Sequence, residues 1–444
     1  MKGTKMAQDG RNGNHFSRRG LMAAGAGGVL LADTYLADAR AEISAPLKNL
    51  RAEAPRITIK SVTTFDVVVP QAPGAVIGVP YAGSPGRINV TCVETDSGVR
   101  GYSFMGNYDQ GTPPQEAKAA HALLAGQDLF AVEAHLKRGL AAWGAVEEAI
   151  WDAIGKIAGQ PVCRLLGGAS LASVPVYVTY VWPGDTTQED VTPAEQARQV
   201  PVLKEAGINA MKIRVWRKDF HVDAEAVSQC RAAGGSGFRV MVDRTARKLK
   251  LWTYDEGLAA AKALQQAGCY WLEEPFAQDD YESPARLRKD ADIIITGGEG
   301  YHTLEPFRHC LEHGTYEILQ PELRYMGGIL QTRKVGVLAE TWGLKVAPHG
   351  TSGLGWAGRL QCSAAMGAHS LEIAVLTPPL LPQDYCTAFL PLLHGEQPFQ
   401  FKDGQVLVPQ APGLGLNVDE KALARYRVDD LQLAAPPPPP LHKP

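Results

Sequence analysis

The chain has 444 residues, of which 45% are hydrophobic and 20% charged, and a formal net charge of -3. This is the profile of a globular protein long enough for two domains, and a near-neutral balance without a basic stripe excludes nucleic acid as a partner. No apolar run beyond the N-terminal segment reaches the length of a membrane-spanning helix, and the seven cysteines, odd in number and without a Cys-x-x-Cys pair, are expected as free thiols rather than as a zinc site or disulfide framework.

The N-terminal segment reads Asn14-His15-Phe16-Ser17-Arg18-Arg19-Gly20-Leu21-Met22, then a weakly apolar stretch from Ala23 to Leu36. Ala37-Asp38-Ala39 and Ala39-Arg40-Ala41 are small-x-small cleavage candidates. Together they resemble a twin-arginine signal, and predict residues 1–41 as a signal peptide, 42–55 as a linker and a periplasmic or otherwise exported product. The alternative is an Arg pair before a short Ala/Gly helix in a cytoplasmic protein. Export of already folded protein, which the resemblance implies, agrees with free thiols.

From residue 56 the chain reads as β-structure. Ile57-Thr58-Ile59-Lys60-Ser61-Val62 and Thr64-Phe65-Asp66-Val67-Val68-Val69 predict two strands, and residues 87–102, turning at Asp96-Ser97-Gly98, predict a hairpin. Residues 112–160 have helical spacing. Strands followed by helices predict an α+β domain over 56–172.

Eight short strand candidates then alternate with helical stretches: 174–180, 210–215, 239–244, 269–275, 293–300, 316–323, 344–349 and 370–375. Eight repeats over about 200 residues match a (β/α)₈ barrel, placed at 173–377, whose C-terminal strand ends carry the active site. Asp243, Glu273 and Glu299 each close one such strand. In a barrel these carboxylates converge, and three hard oxygen donors repel one another unless a hard divalent cation lies between them. Residues 401–409 predict a tight hairpin that returns to the N-terminal domain, within a segment 378–430 that completes it, and 431–444 form a Pro-rich extended tail.

An ordered set of segments resembles the enolase superfamily, in its mandelate racemase-like group, over roughly residues 56–425. The set comprises Ala149-Ile150-Trp151-Asp152, Met211-Lys212-Ile213-Arg214, Trp271-Leu272-Glu273-Glu274-Pro275, Gly298-Glu299, Leu319-Gln320-Pro321-Glu322, Gly327-Gly328-Ile329, Ala347-Pro348-His349 and Pro412-Gly413-Leu414-Gly415-Leu416. The resemblance implies a (β/α)₇β barrel with an α+β capping domain, a homo-oligomer, and abstraction of the proton next to a carboxylate through an enediolate. It implies Mg²⁺, with Mn²⁺ as a substitute, held by Asp243, Glu273 and Glu299, and a small-molecule carboxylate as substrate. Period two turns Glu274 to the other side of its strand.

His349 suits a general base, with Glu322 as its orienting carboxylate where the group carries Asp. Lys212 and Arg214 share one face. Arg214 is a poor base and a good anchor, or else a salt-bridge partner of the carboxylates. Lys212 supplies positive charge, or acts as acid or base if its pKa is depressed. Glu372 is either a protonated donor to the substrate carboxylate or a structural salt bridge. Thr245 stands where the group often carries Asn and is expected to face inward. Tyr81, Asn107, Tyr108, Arg247 and Trp356 are expected around the mouth as substrate-binding residues.

One imidazole that removes the α-proton and protonates a departing hydroxyl is enough for dehydration, so a sugar-acid dehydratase, a lyase, is expected. The alternatives are an isomerase (racemase, epimerase or cycloisomerase) and a non-catalytic exported binding protein.

Overall fold

A computed structural model of the chain describes residues 56–70, 86–106, 113–180, 191–215, 217–245, 251–350, 353–375 and 386–428. The described residues from 57 onward belong to one compact unit. The expected signal peptide, its linker and the proline-rich tail lie outside the described residues.

The capping domain begins with an antiparallel sheet of β1 (Ile59–Val68), β2 (Arg87–Thr95) and β3 (Arg100–Ser103). The two strands expected across 57–69 are one strand. Its register shifts once, between Ile59 and Ser61, and pairing with β2 then runs unbroken through Thr63. Helices α1 (Pro113–Leu124), α2 (Val132–Lys137) and α3 (Gly144–Ala158) follow.

Helix α3 buries Val146, Ala149, Ile150, Ala153 and Ile154 at helical spacing in the capping core. It crosses β3 so closely that a Cβ on Gly101 would come within 2.0 Å of the Ala149 carbonyl oxygen. Its acids fasten the two bodies together. Glu147 accepts from the backbone N–H groups of Ile329 (2.7 Å) and Leu330 (2.9 Å), and Asp152 accepts from those of Tyr102 (2.8 Å) and Leu414 (2.9 Å).

After α4 (Val162–Leu165) come the barrel elements: β4 (Ser173–Tyr180), α5 (Pro193–Ala197), α6 (Gln199–Glu205), β5 (Ala210–Arg214), α7 (Phe220–Gly234), β6 (Arg239–Asp243), α8 (Tyr254–Gln266), β7 (Trp271–Glu273), α9 (Glu282–Asp290), β8 (Ile294–Gly297), α10 (Leu304–His313), β9 (Ile318–Leu319), α11 (Ile329–Thr341), β10 (Lys345–Val346), α12 (Ala357–Met366) and β11 (Leu371–Val375). Strands β4 to β10 pair in parallel in chain order, and β11 pairs with β4. Beyond the named strands, the His369 N–H donates to the Val346 carbonyl (2.8 Å) and the Glu372 N–H to that of Pro348 (3.4 Å), which joins the β10 and β11 segments and completes the circuit. The expected barrel with its capping domain is the observed architecture.

The C-terminal segment serves both bodies. β12 (Phe401–Lys402) and β13 (Gln405–Leu407) form the expected hairpin, but β13 pairs antiparallel with the start of β4, Leu407 against Ser173. The expectation that this hairpin returns to the capping domain is therefore corrected. Phe399 and Phe401 pack against Trp356 of the barrel, and that apolar contact holds the hairpin there. Only further on does β14 (Arg427–Val428) pair with β1. All seven cysteines are free, and no helix among the described residues is long and apolar enough to cross a membrane.

Candidate active site

Barrel strands alternate inward and outward, so residues two apart stack along the interior. A lower interior layer gathers Tyr177, Met241, Trp271, Ile318 and Ala347 into one apolar cluster. Two residues further along these strands or their extensions stand Thr179, Asp243, Glu273, Gln320 and His349; Lys212 is in register with Thr179 and Met241, and Glu372 with Tyr177, and the charged ends of both join this polar cluster. The polar layer is thus set by the same alternation that fills the core beneath it.

Register brings the acids together. Asp243 pairs with Glu273 between β6 and β7, and Arg214 with Asp243 between β5 and β6. Lys212, 1% exposed, sends its ammonium between them: 2.9 and 2.8 Å to the Glu273 oxygens, 3.1 Å to Glu372 and 4.0 Å to Asp243. Burial alone disfavours the ammonium, but Glu273 and Glu372 outweigh it and hold the Lys212 pKa well above its usual value. Lys212 is therefore a fixed cation here, and the depressed pKa that an acid/base role requires is not found.

Arg214 lies 3.5 Å from Asp243 and donates to Thr245 Oγ1 (3.0 Å), which matches the salt-bridge reading. Thr245 is buried with a left-handed φ of 44°, and both its N–H (2.7 Å) and its hydroxyl (2.6 Å) donate to Asp243 Oδ1. It fixes the Asp243 rotamer through a local turn. Glu274, also at a φ of 44°, takes Gln278 and the Gly298 N–H, on the side away from this cluster.

Glu299 follows β8 and places Oε2 3.3 Å from His349 Nε2. Among the described residues no three His, Cys, Asp or Glu side chains stand ready as a ligand cage. Asp243 and Glu273 share Lys212, while Glu299 turns toward His349. The donor chemistry nonetheless suits a hard divalent cation. The carboxylates of Asp243, Glu273, Glu299 and Glu372 gather around the fixed cations Lys212 and Arg214 and around His349, with the Asp243 charge also felt at Arg244. The acid surplus is felt at Glu273, whose pKa is pushed up to about 8 by burial first, with Asp243, Glu372 and Glu299 adding and Lys212 opposing.

His349 ends the β10 segment, and its Nδ1 is hydrogen-bonded to Glu322 Oε2. The longer Glu322 side chain therefore reaches the imidazole, helped by a parallel bridge between the two backbones. Burial lowers the imidazole pKa, but Glu299, Glu372 and Glu322 raise it further, to about 9. Its side chain is 27% exposed where those of Lys212, Glu273 and Glu372 are 1–2%, so it is the part of the cluster that a substrate can reach.

Two expectations are corrected. Glu372 is held ionised: burial raises its pKa, but Lys212, His349 and the Thr179 hydroxyl bring it below the ordinary value, so the protonated-donor reading gives way to the salt bridge. Trp356 does not line the mouth. It is 2% exposed and donates Nε1 to the Glu372 carbonyl (2.8 Å), wedged against the hairpin aromatics. Tyr81, Asn107, Tyr108 and Arg247 lie outside the described residues.

Three residues were missed by sequence reasoning. Gln320 Nε2 donates to Glu273 Oε2 (2.7 Å), and Thr179 donates to Glu372. Both follow from period two, Gln320 being two residues before Glu322. Arg359, on α12, pairs with Glu322 and has no local signal.

Comparison with known proteins gives one matching family model, described as enolase C-terminal domain-like, over residues 193–422. A 3,6-anhydro-alpha-L-galactonate cycloisomerase of Streptomyces coelicolor is 30% identical over 286 residues, covering 64% of this chain and 71% of that protein. A D-galactonate dehydratase of Ralstonia nicotianae is 28% identical over 358 residues, covering 74% and 88%. Among solved structures, a racemase from Streptomyces coelicolor with bound magnesium is similar in fold, with a TM-score of 0.64 at 24% identity, covering 83% of this chain and all (100%) of that one.

Proposed function

Since the chain belongs to the enolase C-terminal domain-like family of the enolase superfamily, we propose that it catalyses β-elimination from a sugar acid, with dehydration as the first reading. The observation that carries this is a single accessible imidazole beside a buried acid cluster. His349 Nδ1 is committed to Glu322, so Nε2 is the nitrogen that faces a substrate. It takes the proton α to the carboxylate. The electron pair left behind spreads onto the carboxylate oxygens, the β C–O bond breaks, and the departing oxygen receives the proton from the imidazolium.

Asp243, Glu273 and Glu299 would hold Mg²⁺, which supplies positive charge where the enediolate forms. Thr245 keeps Asp243 aimed, Gln320 does the same for Glu273, and Lys212 offsets charge between Glu273 and Glu372. Glu299, which would be one of the ligands, is also among the carboxylates that raise the His349 pKa, so a cation there would favour the neutral imidazole that a base needs.

Racemisation needs a second base on the opposite face. Lys212 is held protonated and Arg214 is tied to Asp243 and Thr245, which favours one-base chemistry. A ring-opening cycloisomerase is the second reading, favoured by the relative of that activity at 30% identity. Its departing oxygen stays attached to the product, and the proton path is otherwise the same.

Incubation with D-galactonate and with 3,6-anhydro-L-galactonate plus Mg²⁺, followed by proton NMR, tests the proposal. A 2-keto-3-deoxy acid from the first supports dehydration, and an open-chain isomer from the second supports cycloisomerisation. Turnover that survives thorough chelation would remove the metal from the reaction. Export through Ser17-Arg18-Arg19 is part of the same proposal, and cell fractionation of the full chain and of an Arg18→Lys, Arg19→Lys variant decides it.

A further inference from the structure

We propose that Arg359 is a positioning residue for His349: by clamping Glu322 it fixes the imidazole. The inference rests on the reading of His349 as the base.

A glutamate carboxylate turns about its last bond, and a single bond to an imidazole leaves that rotation open. Here the second oxygen is also held. Arg359 Nη2 pairs with Glu322 Oε1, and the Arg324 N–H donates to the same oxygen at 3.0 Å. Arg359 is itself anchored, because Nη1 donates to the Gly355 carbonyl (2.8 Å) one turn earlier. Arg359 is 3% exposed and Glu322 1%, so water competes poorly for these bonds.

Gly358, next to Arg359, packs against the capping domain. The Glu148 carboxyl, 1% exposed on α3, lies over Gly358 so closely that a Cβ there would come within 1.8 Å of Glu148 Oε1. On its other side the Ser103 hydroxyl donates to Oε2. Burial pushes the Glu148 carboxyl pKa up to about 8, with the Ser103 hydroxyl and the Arg359 charge opposing. The clamp on Glu322 is thus made by the Arg359 guanidinium and the Arg324 N–H together. A planar fork is needed for this, and a lysine ammonium supplies charge without the fork.

Two measurements test the inference. In proton NMR of the metal-free protein, the His349 Nδ1–H bound to Glu322 gives a far-downfield resonance, identified by its loss in His349→Asn. Arg359→Met and Arg359→Lys are each expected to move or broaden it. In turnover of D-galactonate with Mg²⁺, both variants are expected to lose about 10- to 100-fold in kcat with KM within about twofold, as orienting partners of functional histidines do. A folded Arg359→Lys protein with kcat within about twofold of the parent and the resonance unmoved overturns the inference. If Arg359→Met does not fold, the Lys variant decides. If the parent protein turns over no acid, the functional reading fails, while the resonance still decides the positioning role.

Discussion

The lower and upper layers of the barrel interior lie two residues apart on the same strands and obey opposite rules. Tyr177, Met241, Trp271, Ile318 and Ala347 fill the lower layer, and Trp271 meets Tyr177 edge-on with centroids 5.1 Å apart. The upper layer packs Lys212, Asp243, Glu273 and Glu372 at 1–2% exposure, an arrangement that buried charge makes costly unless each group is paired. The contrast teaches where the fold is stabilised and where it is put to use. The apolar layer contributes packing, and the charged layer is tolerated because Lys212, Arg214 and hydrogen bonds from Thr245 and Gln320 offset it.

The largest break in this contrast is expected from the upper layer. His349→Asn should lower turnover by roughly 10²- to 10⁴-fold, the usual contribution of a general acid/base, while circular dichroism and thermal unfolding stay near those of the parent. Equal turnover by the variant would move the chemistry elsewhere.

Trp271→Ala, one layer down, should do the reverse. Loss of this side chain is expected to cost about 3–5 kcal/mol in denaturant unfolding. The protein that remains folded should keep its KM for the same acid. A variant of unaltered stability would show that the lower layer is not the packed core described here.

The third effect concerns the acid surplus. At about 100 times its Kd, Mg²⁺ is expected to stabilise the parent by about 2.7 kcal/mol. Glu273→Gln and Asp243→Asn should each abolish most of that increment, read as the shift in unfolding midpoint between Mg²⁺ and a chelator. A shift that persists in both variants would place the cation at another site.

The smallest effect follows pH. His349 has its pKa raised from 6.5 to about 9 in the folded metal-free protein. A raised pKa means that the imidazolium contributes stability fully below about pH 6.5, and that this contribution is lost as pH climbs through about 9. Thermal unfolding of the parent against His349→Asn across that window should converge at the alkaline end. A difference that grows with pH instead would reverse the assignment.

Much of the barrel was legible because its signals are local. Short β-branched runs at βα spacing gave the strands, and polar residues at the ends of the second to eighth runs marked the mouth. The observed strands are shorter than those runs, since the chain turns away at residues such as Glu274 and Thr245, with φ of 44° each. The hairpin at Phe401 was legible as a hairpin, but not its partner: two short strands carry no address, and the packing of Phe399 and Phe401 on Trp356 chose β4.

By itself, the sequence determined which residues share a face, because alternation along a strand is a property of the backbone. It therefore settled that Lys212 and Arg214 project together, and that Asp243, Glu273, Gln320, Glu322 and His349 belong to strand ends. Only the tertiary structure decided their states. Glu372 is ionised because Lys212 of another strand lies 3.1 Å away, and Glu322 is held by Arg359, a residue 37 positions further along the chain. Charge, burial and orientation depend on distances through space, and those exist only once β11 has met β4 and the ring has closed.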